Sequence, residues 1–196
     1  MPTITTVNFE PPNDSGVFFD VAPRQGATRL YHGTSTWFSD VIEQQGFKLN
    51  HRFLTDSELE AVNKHAASMK SLGPEWVWTL GESRRFSLTR FSRQALRYAC
   101  SSLKGGVYCK LLDDLDNLTR AAQENEMTDS DRAMLGTIRH RLEPISRLPG
   151  VVYAIDLYES EVVQLTPPGD PTYAPFDIPV DRITYRMLVP VGYEDR

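Results

Sequence analysis

The chain has 196 residues, 40% hydrophobic and 10% aromatic, with a formal net charge of −5. Such a length and apolar content suit one domain with its own core and do not describe a disordered chain. The acidic balance argues against a broad basic surface for nucleic acid, but not against a small anion held by local groups.

Residues 1–26 are rich in Pro, Asn, Asp and Gly, with one apolar patch, GVFFDVA. They read as a flexible N-terminal arm that docks through Phe18 and Phe19. The opening MPTITTVNFEPPNDSG lacks the basic start and apolar core of a secretory signal, and no stretch has the apolar length to cross a bilayer. Cys100 and Cys109 match neither a disulfide framework nor a zinc spacing. Both read as reduced thiols, so a cytoplasmic location is expected, with export as an effector left open.

Residues 27–196 are read as a single domain. TRLYHG is a short strand. Ser39 caps a helix through DVIEQQ, Gly46 is its left-handed stop, and Phe47 packs back onto it. Residues 56–72 form a second helix, ended by Gly73-Pro74 and followed by Trp76 and Trp78. RRFSLTR is a strand with Phe86 and Leu88 on one side. Ser92 then caps the helix RQALRYACSSL, whose apolar stripe is Ala95, Leu96, Ala99 and Leu103; Gly105-Gly106 ends it. Residues 107–146 read as two helices split by ENEMTDSD, the second capped by Asp129 or Ser130. VVYAIDLY, EVVQLT and DRITYRMLV have the branched and aromatic content of strands, and PPGDPTYAPFDIP is a proline-rich surface loop. The order of elements implies an α+β domain with a largely antiparallel sheet.

Two stretches can carry chemistry. In Tyr31-His32-Gly33-Thr34-Ser35, a glycine lets a planar ligand approach its backbone N–H and C=O. A histidine beside it can hydrogen-bond a sugar hydroxyl, and Thr34 and Ser35 add short donors. The plainer reading is a strand ending in a turn. In FSLTRFSRQALRYA, a strand bearing hydroxyls leads into a helix with Tyr98 near its end; that tyrosine also reads as a core aromatic. Arg84 and Arg85 before the strand read as a solvated pair or as contacts for phosphate or an acidic target. His51, His65 and His140 have no metal-type spacing, so no metal is expected.

LYHGTS, followed some fifty residues later by SLTRFSRQALRYA, resembles the ADP-ribosyltransferase superfamily. The likeness is to its His-Tyr-acid branch, the poly(ADP-ribose) polymerase and diphtheria-toxin type, and runs from about residue 28 to 190. It implies a split antiparallel sheet with helices, residues 107–146 being a helical insertion, and nicotinamide adenine dinucleotide (NAD) as co-substrate. By position, His32 and Gly33 match the family's His-Gly pair and Tyr98 its ring-stacking tyrosine. Asp181, opening a late strand, matches the acid, with Asp177, Glu159 and Glu161 as rivals. Thr34, Ser35, Ser87 and Thr89 would line the cofactor pocket. The sequence departs from the pattern in three places. The acid is Asp, Ser87 stands where many polymerase-type members carry a second aromatic, and Ala95 replaces a small hydroxyl residue.

The implied reaction breaks the bond between ribose C1 and a cationic pyridinium. The ring leaves neutral, and positive charge develops on the sugar as in glycoside cleavage. An aromatic face favours the pyridinium, and a carboxylate near the ribose stabilises the developing cation. The expectation is a mono-ADP-ribosyltransferase acting on an unidentified protein or nucleic-acid acceptor, as a toxin or effector. The rivals are an RNA 2'-phosphotransferase, whose YHGT stretch is shared, and a catalytically weak module that binds NAD or ADP-ribose.

Overall fold

The computed structural model describes residues 3–12, 19, 22–49, 53–68, 85–101, 107–121 and 127–194. The strand β4 (Gly150–Tyr158) is buried along all but its last residue. Its branched and aromatic residues suit a strand covered on both faces. It pairs antiparallel with β2 (Ala27–Ser35) on one side and with β6 (Ile183–Val189) on the other. β1 (Thr5–Val7) joins β6 in parallel, so the sheet order is β1-β6-β4-β2 and the sheet is mixed. A second, two-stranded sheet pairs β3 (Phe86–Leu88) with β5 (Thr172–Ala174) in antiparallel register. An isolated bridge between Tyr31 and Thr89 joins the two sheets.

Strand alternation divides the core in two. On one face Leu30, Val151, Tyr153, Ile155 and Leu157 pack with helices α1 (Ser39–Gln45), α2 (Asp56–Ser68), α4 (Val107–Ala121), α5 (Asp129–Leu142) and α6 (Pro144–Arg147). The stretch read as a helical insertion therefore supplies core, through Leu115, Ile138 and Ile145 among others. On the other face lies α3 (Ser92–Cys100), whose Ala95, Leu96 and Ala99 meet Tyr31, Val152, Ala154 and Met187.

The approach of α3 to the sheet is closer than a side chain permits. A Cβ on Gly33 would lie 1.8 Å from the Ala95 carbonyl oxygen, and one on Gly150 would lie 2.2 Å from that of Ala99. Ser35 and Gly150 are register partners, so the two glycines share one corner of the β2–β4 ladder. Across the same ladder the register pair Arg29 and Asp156 forms a buried ion pair, with Nε and Oδ1 2.6 Å apart. The Arg24 N–H donates to the second carboxylate oxygen, which ties down the approach to β2.

Several elements differ from the sequence reading. The N-terminal arm contributes β1, because Thr5–Val7 can complete an otherwise open edge of β6. EVVQLT is no strand. Its start folds into the short helix α7 (Glu159–Val162), where the Glu161 carboxylate accepts the Tyr158 N–H at 2.8 Å and a local capping bond outcompetes strand pairing. The proline-rich loop contains β5, which pairs with β3 and bridges back to Thr166 through Tyr173. Thr128, not Asp129 or Ser130, caps α5, its hydroxyl accepting the Asp131 N–H at 3.1 Å. Ser39 and Ser92 are the first helical residues of α1 and α3, after Phe38 and Phe91 in the cap positions. Gly46 does close α1 with a φ of 78°, but Phe47 packs against His32, Phe86 and Tyr153. Phe18, Gly73-Pro74, Trp76, Trp78, Leu103 and Gly105-Gly106 lie outside the described residues.

The same substitution is expected to have opposite signs at two glycines. Gly150→Ala forces the helix off the sheet and lowers stability by about 1–3 kcal/mol, the usual cost of overpacking. Gly136→Ala, on α5 with nothing within 4 Å of the new methyl, raises it by up to about 1 kcal/mol through helix propensity. Urea midpoints of the two variants check both signs.

Candidate functional site

Tyr31 exchanges both backbone hydrogen bonds with Thr89, at 2.8 and 3.0 Å, so its N–H and C=O point away from β4. Strand geometry turns those of Gly33 the same way. Continued antiparallel register would set Gly33 opposite Ser87, yet Tyr31–Thr89 is the only bridge described between β2 and β3. The strands splay apart there. Among the described residues neither backbone group of Gly33 has a partner. Gly33 thus carries a donor and an acceptor, side by side, on an open strand edge.

The Ser87 carbonyl, freed from pairing, takes a side chain instead: it lies 2.8 Å from Nδ1 of His32. A carbonyl only accepts, so Nδ1 carries the proton. Burial holds the imidazole pKa below the ordinary histidine value, and the bond to Ser87 pulls more weakly the other way. At neutral pH the ring is then neutral, and Nε2 presents a lone pair. The ring stands edge-on to Phe47, with centroids 5.0 Å apart, which fixes its plane.

Tyr98 lies on the helix that covers the other face of the sheet. Its helix is set by the contact of Ala95 with Gly33. Leu96 is fully buried, so its flank of α3 lies over the sheet. Tyr98, about 200° further round, leaves from the uncovered flank and is 43% exposed. His32 and Tyr98 therefore belong to opposite faces of the sheet.

The remaining candidates have other occupations. Ser35 is fully buried, its hydroxyl donating to the Ile145 carbonyl at 2.8 Å and accepting the Trp37 N–H. Thr34 is buried in the sheet. Ser87 contributes its carbonyl through the bond to His32. Thr89 closes the narrow end of the split, with its hydroxyl accepting the Phe91 N–H at 3.1 Å.

Asp181 is not brought to the split. It lies in a 3-10 turn, Val180–Arg182, with its carboxylate paired to Arg182 and its carbonyl accepting from Arg24. Arg182 stacks over Tyr158, five residues along β4 from Tyr153, the register partner of His32. Asp177 is held by the Leu49 N–H and Lys48, which lower its pKa in that order of strength with burial opposing. Glu161 is spent on Arg182 and the Tyr158 N–H, and Glu159 is exposed at the start of α7.

Asp170 is bonded at the closed end of the split. Its Oδ2 lies 3.0 Å from the Thr89 hydroxyl, and its Oδ1 accepts the Arg90 N–H at 2.7 Å. Tyr173 was likewise hidden in the proline-rich loop. It is the register partner of Ser87, so its side chain shares that face of the small sheet, beside the position where an aromatic was missing. The alternating triplet Thr172-Tyr173-Ala174 was the available signal, but it is too short to read as a strand. Among the described residues no group of three or more His, Cys, Asp or Glu side chains is placed to hold a metal ion, and no helix is long and apolar enough to cross a membrane.

No family model matches the chain, and comparison with curated proteins and with solved structures finds no match either.

The depressed pKa of His32 makes stability pH-dependent. The unfolded imidazole takes up a proton near its ordinary value of 6.5, while the folded one resists it to lower pH. Folding stability therefore declines as pH falls from about 6.5 toward the folded pKa. The urea midpoint of the wild-type chain should drop more between pH 7.5 and pH 5.5 than that of His32→Gln; equal drops would assign the effect to other groups.

Proposed function

We propose that the protein is an NAD-dependent mono-ADP-ribosyltransferase. The observation that carries this reading is the open edge at Gly33, flanked by a histidine whose tautomer leaves Nε2 as an acceptor. A carboxamide needs one donor and one acceptor side by side, and the N–H and C=O of Gly33 supply them. Nε2 of His32 accepts from a ribose hydroxyl. The Tyr98 ring lies against the pyridinium, an interaction of about 0.5–2 kcal/mol depending on desolvation. Cleavage sends the bonding pair to the ring, which departs as neutral nicotinamide. Positive charge passes to the sugar, where a carboxylate beside the ribose would stabilise it. The acceptor's nucleophile then adds to C1 and gives up its proton. The acceptor is a macromolecule of unspecified chemistry, and an α+β domain with a split sheet is the architecture this reading expects.

The test is nicotinamide release from NAD, with and without cell lysate, alongside mass-spectrometric search for added ADP-ribose. His32→Ala should abolish measurable transfer. Tyr98→Ala should raise KM for NAD by about 2- to 30-fold, following the stacking energy. NAD binding by calorimetry without nicotinamide release would reduce the protein to a binding module.

A further inference from the structure

The guanidinium of Arg85 lies over the ring of Tyr173, 4.3 Å from its centroid. Arg29, Arg132, Arg139, Arg141, Arg147, Arg182 and Arg186 each reach a carboxylate. Among the described residues Arg85 has no such partner, and it is exposed. A guanidinium stacked on a ring can still turn its edge N–H groups to a phosphate, and among the described residues nothing else bonds them.

Its position along the split is specific. Tyr173 is the register partner of Ser87, whose carbonyl fixes His32. Arg85 precedes Ser87 by two residues, roughly 7 Å of extended chain, and leaves from the same face. The Tyr31–Thr89 bridge closes the other end. A ligand with its ring at Gly33 must therefore carry the rest of its length toward Arg85.

We propose that Arg85, stacked on Tyr173, is the anchor for the phosphate-bearing part of a pyridine nucleotide. This rests on the cofactor reading above and adds what that reading does not assign, the group that recognises phosphate. Arg85 donates two parallel N–H bonds to phosphate oxygens, and Tyr173 pre-sets the guanidinium plane so that little freedom is lost on binding. A neutral ring and ribose gain nothing from it.

Calorimetry on the full chain tests this with two probes. Nicotinamide riboside carries the ring and sugar without phosphate, and NAD carries both. Arg85→Gln should weaken NAD by roughly ten- to a hundredfold, the range for hydrogen bonds to a charged group, and leave the riboside within twofold. Tyr173→Leu should behave like Arg85→Gln, whereas Tyr173→Phe keeps the ring and should bind NAD as wild type does. The loss should shrink as salt rises. Equal NAD affinity of wild type and Arg85→Gln, with riboside binding intact, overturns the anchor alone. Failure of the wild-type chain to bind either probe overturns the cofactor reading and the anchor with it.

Discussion

The contact on which the rest of the site depends is the seating of α3 on two glycines. A helix normally rests on a sheet through side chains. Here the Ala95 and Ala99 carbonyls stand where the Cβ atoms of Gly33 and Gly150 would be. Packing of this kind leaves no room for adjustment, because interiors are dense and an added methyl must move backbone. It fixes α3 in height and rotation, and with α3 the direction in which Tyr98 leaves. Gly33 thus does two jobs: its missing side chain admits the helix, and its backbone edge faces the split.

An unpaired strand edge is usually a hazard, since it invites pairing with another chain. In this fold the opening is confined. It is closed at one end by the Tyr31–Thr89 bridge, and its far wall, β3, is held by β5. His32 spans the gap by taking the Ser87 carbonyl that would otherwise have bonded Gly33. The splay and the histidine tautomer are therefore one arrangement: the carbonyl is freed because the strands part, and it then dictates where the imidazole proton sits.

Beneath His32 the core holds a polar network. Tyr153 is fully buried, its hydroxyl 2.9 Å from both Ser39 Oγ and Glu43 Oε1, and Glu43 pairs with Arg186. Burial, with the Glu43 charge adding to it, pushes the phenol pKa up, so it remains a donor. Arg186 also reaches Thr6 of β1. The network links the N-terminal strand, α1 and the layer that carries His32, and a fully satisfied network of this kind stiffens what it joins.

The amino-acid order alone identified most helices, the three long strands and the pairing of a His-Gly strand end with a later strand-helix unit, because those signals are local. Periodicity, glycine stops and branched residues act within a few positions of one another. β1 and β5 escaped notice because three-residue strands exist only through their partners β6 and β3, and EVVQLT failed because a cap bond is settled over three residues while strand propensity is not. Asp170 and Tyr173 sat unread in a proline-rich stretch for the same reason: nothing nearby in the chain marks them. Which residues face one cleft depends on register between segments more than fifty residues apart. Only the folded sheet decided that Gly33 meets a helix on one side and an open edge on the other, and that Asp170, rather than Asp181, lies beside Thr89, since hydrogen-bond register across a ladder is a property of two strands together and is written in neither.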